Sequence, residues 1–143
     1  MKKRSRAREL ALQVLYSIEV SGESAAKALA DMKREEQPDT ETLEYAQRIV
    51  TAVTEHAEEL DKAVKERLEN WDLGRVAILD KNLLRMAIVE ILHFEDIPPK
   101  VSIDEAIELA KRFSTEKSGQ FINGILDPIA FKEKKPHGGQ EKK

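Results

Sequence analysis

Apolar residues recur at three- and four-residue spacing along almost the whole chain, and β-branched alternation is absent. That period belongs to helices. Ala7, Leu10, Ala11, Val14, Leu15 and Ile18 form a stripe that predicts a helix over residues 5–20, stopped by Ser21-Gly22. Ser24 is a natural N-cap for a second helix carrying Ala25, Ala28, Leu29 and Met32 on one face. The polar run Arg34 to Pro38 breaks the pattern. A long stripe follows from Leu43 through Ala46, Val50, Val53, Ala57, Leu60, Val64 and Leu68 to Trp71. It fits one helix, or two with a kink near His56.

The turn around Asp72-Leu73-Gly74 leads into the most apolar segment, residues 76–94. A helix apolar on nearly all sides belongs in the middle of its fold. Asp80 is placed to cap its main portion, and Pro98-Pro99 lies beyond its end. Ser102-Ile103-Asp104-Glu105 has the form of a capping box, which would start the next helix at Ser102. Phe113 then continues the apolar stripe and is expected in the core. A last helix carries Phe121, Ile122, Ile125 and Ile129, with Gly124 suggesting close packing and Pro128 marking the end. The fold class is all-α, a compact single-domain bundle of six or seven helices.

Charge changes this picture at the ends. Over 143 residues, 24 Lys and Arg stand against 27 Asp and Glu, a net charge of −3. Lys2, Lys3, Arg4, Arg6 and Arg8 all fall in the first eight residues, with no acid among them. Setting those five aside leaves 19 against 27, or −8. The segment from Lys132 onward is polar and basic and reads as a disordered tail. An acidic body thus carries two basic ends. Such a body repels nucleic acid in general, so any contact is local, and a basic arm is a device for gripping phosphate.

The search for catalytic chemistry returns little. The chain has no cysteine, which excludes disulfides and thiol nucleophiles. His56, His93 and His137 show no helical metal spacing, and no glycine-rich phosphate loop or nucleophile elbow is present. The expectation is no catalytic residue, no metal and no cofactor. No apolar run nears the ~20 residues of a membrane span, and no apolar stretch follows the basic start as in a secretory leader. The expected location is cytoplasmic, with no membrane partner.

Two constellations suit binding. Arg4, Arg6 and Arg8 line the start of the first helix, with Gln13 and Tyr16 further on. Arg8 and Tyr16 stand two turns and a fraction apart, which places them on one side. Guanidinium groups bind phosphate and, like aromatic rings, stack on unpaired bases. The second constellation runs from Lys111 through Arg112, Phe113, Lys117 and Gln120 to Phe121. Basic residues interleaved with aromatics suit a single-strand surface, because stacking and phosphate attraction add.

The run Arg6-Ala7-Arg8-Glu9-Leu10-Ala11-Leu12-Gln13-Val14-Leu15-Tyr16 resembles the opening of the bacterial transcription antitermination family NusB. So do Leu83-Leu84-Arg85-Met86-Ala87 with Glu90-Ile91, the run Val101 to Phe113, and Gln120-Phe121-Ile122-Asn123-Gly124-Ile125-Leu126-Asp127. These pieces stand in family order from about residue 4 to residue 130. The resemblance implies a non-enzymatic RNA-binding domain over residues 1–131, built of two packed helical subdomains, with residues 132–143 as the basic tail. It implies binding of single-stranded boxA RNA in ribosomal RNA leader transcripts, as a heterodimer with NusE, a small-subunit ribosomal protein. NusA, NusG and RNA polymerase would join them, so that the polymerase reads through terminators.

By the same resemblance, Arg4, Arg6, Arg8, Tyr16 and Phe121 are candidate RNA-binding residues, and the basic arm and the two constellations add Lys2, Lys3, Gln13, Lys111 and Lys117. Asp80 and Glu90 are the candidates for NusE, on an acidic central helix that faces a basic partner. That apolar and acidic face could also self-associate into a homodimer. The chain departs from the family pattern at Lys117, where an acid is frequent, and at Gln120, where lysine is. The fold also resembles the N-terminal region of ribosomal RNA cytosine methyltransferases. Those enzymes need a further α/β domain and a catalytic cysteine, which this sequence does not supply. The remaining alternative is a helical protein–protein adaptor without specific RNA binding.

Overall fold

The computed structural model describes residues 2–68 and 72–132. Among them are seven α-helices and no strand: α1 (Lys3–Ser21), α2 (Ala25–Glu36), α3 (Thr40–Glu55), α4 (Ala57–Lys65), α5 (Ile78–His93), α6 (Pro99–Phe113) and α7 (Glu116–Lys132). A short 3₁₀ turn, Leu73–Arg75, precedes α5. The helices fall into two units, divided between Glu55 and His56. The tail beyond Lys132 and the expected stripe end at Trp71 lie outside the described residues.

The first unit holds α1, α2 and α3, with α1 packed along α3 and against α2. The predicted stripe of α1 is buried at Ala7, Leu10, Ala11, Val14 and Leu15, and it meets Ala46, Ile49, Val50 and Val53 in the core of this unit. Full burial of each large aliphatic side chain contributes about 1.5–3 kcal/mol, which outweighs the helix propensities. The joints follow local chemistry. Gly22 takes φ +76° and donates its N–H to Ile18 O, ending α1. The Ser24 side chain accepts from Lys27 N–H at 3.1 Å and caps α2. The polar run does not break α2 at Arg34 as the pattern suggested. The helix continues to Glu36, and Gln37 ends it at φ +46°. Asp39 Oδ1 then accepts from Thr42 N–H at 2.8 Å, capping the start of α3.

The second unit is organised around α5, which packs against α4, α6 and α7. Leu83, Leu84, Ile88, Val89 and Ile91 are all buried, as a helix apolar on every side requires. Arg85 grips Asp61 of α4 with both ends of its fork, at 2.7 and 2.9 Å. Of the two alternatives near His56, the break is the one realised. α3 ends at Glu55, and α4 begins at Ala57.

Four expectations are corrected here. Asp80 is not a cap: α5 starts at Ile78 after Ala77, and Asp80 sits in its first turn. Ser102 is not an N-cap either, because Pro99 opens α6 one turn earlier and supplies a preset φ. Pro128 lies inside α7, which continues to Lys132. The carbonyl left without its usual partner by Pro128 is that of Gly124, which is exposed and open to water. Gly124 therefore makes no close packing contact, and a Cβ there would meet nothing within 4 Å.

Candidate nucleic-acid interface

The basic arm is helical from Lys3, so its cations project from a rigid rod. Lys2, Lys3 and Arg4 are exposed. Lys3 Nζ lies 3.0 Å from Glu41 Oε1 and 3.3 Å from Asp39 Oδ2, and these carboxylates, Glu41 foremost, hold its ammonium above its ordinary value. Arg4 stands over the Tyr45 ring, 4.6 Å from its centroid. Arg6 spans Glu9 at 3.1 Å and Glu36 at 2.7 Å. Gln13 Nε2 donates to the other oxygen of Glu36 at 3.4 Å. Tyr16 keeps 41% of its surface exposed.

Arg8 departs from the expected arrangement. It is only 5% exposed and does not share an open face with Tyr16. Its guanidinium lies 5.4 Å from the Tyr45 ring centroid and donates to Tyr45 Oη at 3.5 Å. The cause is its place in the turn: Arg8 falls between Ala7 and Leu10 on the side of α1 that meets α3. Tyr45, absent from the predicted stripe, collects Arg4, Arg8 and Arg48 around one ring. The signal was available as the lone aromatic of α3.

In the second unit, Lys111, Arg112, Lys117 and Gln120 are exposed and Phe121 is half-buried. Phe113 is not in the core as expected but 43% exposed, since α6 ends there, with the Arg112 guanidinium 4.9 Å over its ring. A cleft of about 350 Å³ opens between Lys117, Phe121, Arg75 and the first turn of α5. Asp80 forms its polar wall. Asp80 Oδ2 accepts from Ser118 Oγ at 3.0 Å, while Oδ1 is buried with no hydrogen-bond partner among the described residues.

The reading of Asp80 and Glu90 as an acidic docking face is corrected by this geometry. Asp80 is 8% and Glu90 2% exposed. Glu90 Oε1 accepts from Ser102 Oγ of α6 at 2.7 Å. Each carboxylate turns inward and binds α5 to a neighbouring helix through a serine. A buried carboxylate needs such donors, and the fold supplies them from α6 and α7. His56 and His93, which have no helical metal spacing in the sequence, stack in the fold with ring centroids 4.0 Å apart.

Relatives give this arrangement a context. The NusB family profile matches residues 5–131. Over 136 residues the chain is 44% identical to the transcription antitermination protein NusB of Chloroherpeton thalassium, covering 94% of this chain and 64% of that protein. The structure of T. maritima NusB superposes with a TM-score of 0.84 at 38% identity, covering 93% of each chain. A crystal structure of the antitermination factors NusB and NusE in complex with dsRNA superposes with a TM-score of 0.85 at 27% identity, covering 92% of this chain and 98% of that one. These likenesses place the chain in the class of all-helical proteins with the NusB fold. No helix among the described residues is long and apolar enough to cross a membrane. The chain belongs to the NusB family.

Proposed function

We propose that this chain is an antitermination factor that binds boxA RNA of ribosomal RNA leader transcripts together with NusE. With NusA, NusG and RNA polymerase it lets the polymerase read through terminators. The observation that carries this reading is the helical arm of α1, where Lys2, Lys3 and Arg4 are exposed and Arg6 is held by the carboxylates of Glu9 and Glu36. A phosphate can replace those carboxylates one for one, because both present oxygens to the same donors. Tyr16 offers a ring to an unpaired base, and Gln13 offers a donor beside it.

Lys111, Lys117 and Phe121 form the second contact region, where phosphate attraction and ring stacking add. Arg8 acts differently from the rest of the arm: it fixes α1 on Tyr45 and so orients the exposed cations. The role is one of binding and assembly, without catalysis, carried by residues 1–131 in the cytoplasm. A solved relative contains NusB with NusE and dsRNA, and it supports pairing with NusE here. With Asp80 and Glu90 turned inward, that partner meets other residues.

One observation favours a second reading. Lys3 and Arg6 already have acidic partners, as in an adaptor whose arm merely closes its own unit. Fluorescence anisotropy with boxA and scrambled single strands, with and without NusE, separates the two. Tighter binding of boxA in the presence of NusE is expected. No binding under any condition leaves the adaptor.

A further inference from the structure

We propose that His56, Glu59 and His93 form a binding site for a borderline divalent transition metal, Zn²⁺ foremost. The site lies within the second unit and is independent of the RNA reading. His56 is the residue between α3 and α4, with φ −109° and ψ 19°, Glu59 lies in the first turn of α4, and His93 ends α5. Two ring nitrogens converge on one carboxylate oxygen: His93 Nε2 is 2.8 Å and His56 Nδ1 3.4 Å from Glu59 Oε1. All three candidate ligand atoms lie within 4.8 Å of one another. A tetrahedral Zn²⁺ with bonds of about 2.0–2.1 Å sets its ligands roughly 3.3 Å apart. His56 Nδ1 and Glu59 Oε1, 3.4 Å apart, already stand near that separation, and binding a shared ion requires the two rings to unstack.

The chemistry of the set selects the ion. Two imidazoles and one carboxylate suit Zn²⁺, Ni²⁺, Co²⁺ or Cu²⁺, whereas Mg²⁺ and Ca²⁺ ask for more oxygens. Three protein ligands leave a position for water. The electrostatics agree. His93 stands at the C-terminal end of α5, which favours a positive charge, and the adjacent Glu58 adds a carboxylate in the first turn of α4. The imidazoles are stacked, with centroids 4.0 Å and planes 13° apart, so one ring must turn about its Cβ–Cγ bond before both in-plane lone pairs meet one ion. His93 and Glu59 are exposed and His56 is half-buried, so the ion has a path from solvent. Bound there, it would clip the start of α4 to the end of α5.

The test uses the full chain without a purification tag. Co²⁺ is titrated while visible d–d absorption is followed, and thermal unfolding is recorded across a ZnCl₂ series. The expected result is one Co²⁺ per chain and a Tm that rises with Zn²⁺ concentration. The His93→Ala and Glu59→Gln variants should each bind Co²⁺ more weakly by roughly tenfold or more. Both side chains are exposed, so both variants should fold, and the circular dichroism of each metal-free variant checks this. Unchanged Co²⁺ affinity in folded His93→Ala would place the ion elsewhere, for example at His137, and overturn the proposal. Absence of any d–d band or Zn²⁺-dependent rise in Tm for the unmodified chain would overturn it equally.

Discussion

Arg6 of α1 donates to Glu36 of α2 at 2.7 Å, and Gln13 donates to the second oxygen of the same carboxylate at 3.4 Å. Two candidate RNA-binding residues are thus occupied by one internal acid, which an incoming phosphate has to displace. Glu36→Gln removes the competing charge while keeping a similar shape. An exposed pair of this kind is worth about 0.2–1 kcal/mol, so the variant should bind boxA RNA up to about fivefold more tightly. Anisotropy at fixed salt measures this. Weaker binding in Glu36→Gln would mean that Glu36 orients Arg6 for RNA instead of competing with it.

Arg6 and Arg8 should separate in their effects. Arg6→Ala is expected to weaken RNA binding with little change in Tm. Arg8→Ala empties a buried place against Tyr45, and a desolvated cation–π contact is worth about 2 kcal/mol. Urea unfolding should show that loss. Equal stability of the two variants would contradict the anchoring role given to Arg8.

Much of the fold was legible in the sequence because helix periodicity and helix stops are local. Gly22 and Ser24 act through groups within three or four residues of themselves, and both were readable. Ser102 was misread because its hydroxyl has two possible uses, a cap or a buried tertiary bond. Pro99, a turn earlier, took over the start of α6. The inward turn of Asp80 and Glu90 was not legible. On an apolar helix a carboxylate is either a docking charge or a satisfied buried group, and only the positions of Ser118 and Ser102 decide. The His56–Glu59–His93 cluster escaped for a related reason, since its members meet through the packing of α4 on α5.

Ser102→Ala tests the buried tie between α5 and α6. Removing a donor from a buried carboxylate costs about 1–3 kcal/mol. Thermal or urea unfolding should show a loss of that size, with helicity retained at low denaturant. A neutral result would mean that the remaining partners of Glu90 suffice.

Acid should loosen the first unit through Asp39. The Thr42 N–H, then its hydroxyl and then Lys3, hold this carboxyl below its ordinary 3.8. The stability it contributes is therefore fully present above pH 3.8 and is lost as the pH falls through the lowered folded value. Asp31, held down by Lys27 and then Arg34, acts in the same sense. Asp39→Asn should flatten the fall of Tm below pH 3.8 relative to the unmodified chain. Identical acid limbs would remove Asp39 from this role.

The most direct test of the RNA-binding arm is the salt dependence of boxA affinity in the presence of NusE. The unmodified chain is compared with a Lys3→Ala, Arg4→Ala, Arg6→Ala variant that leaves the buried Arg8 in place. Each lost phosphate contact on a single strand lowers the slope of log K against log salt by about 0.7. If the arm grips RNA, the variant binds more weakly with a slope shallower by up to about 2. An unchanged slope and affinity in the folded variant would contradict the claim that the arm of α1 is the RNA-binding element.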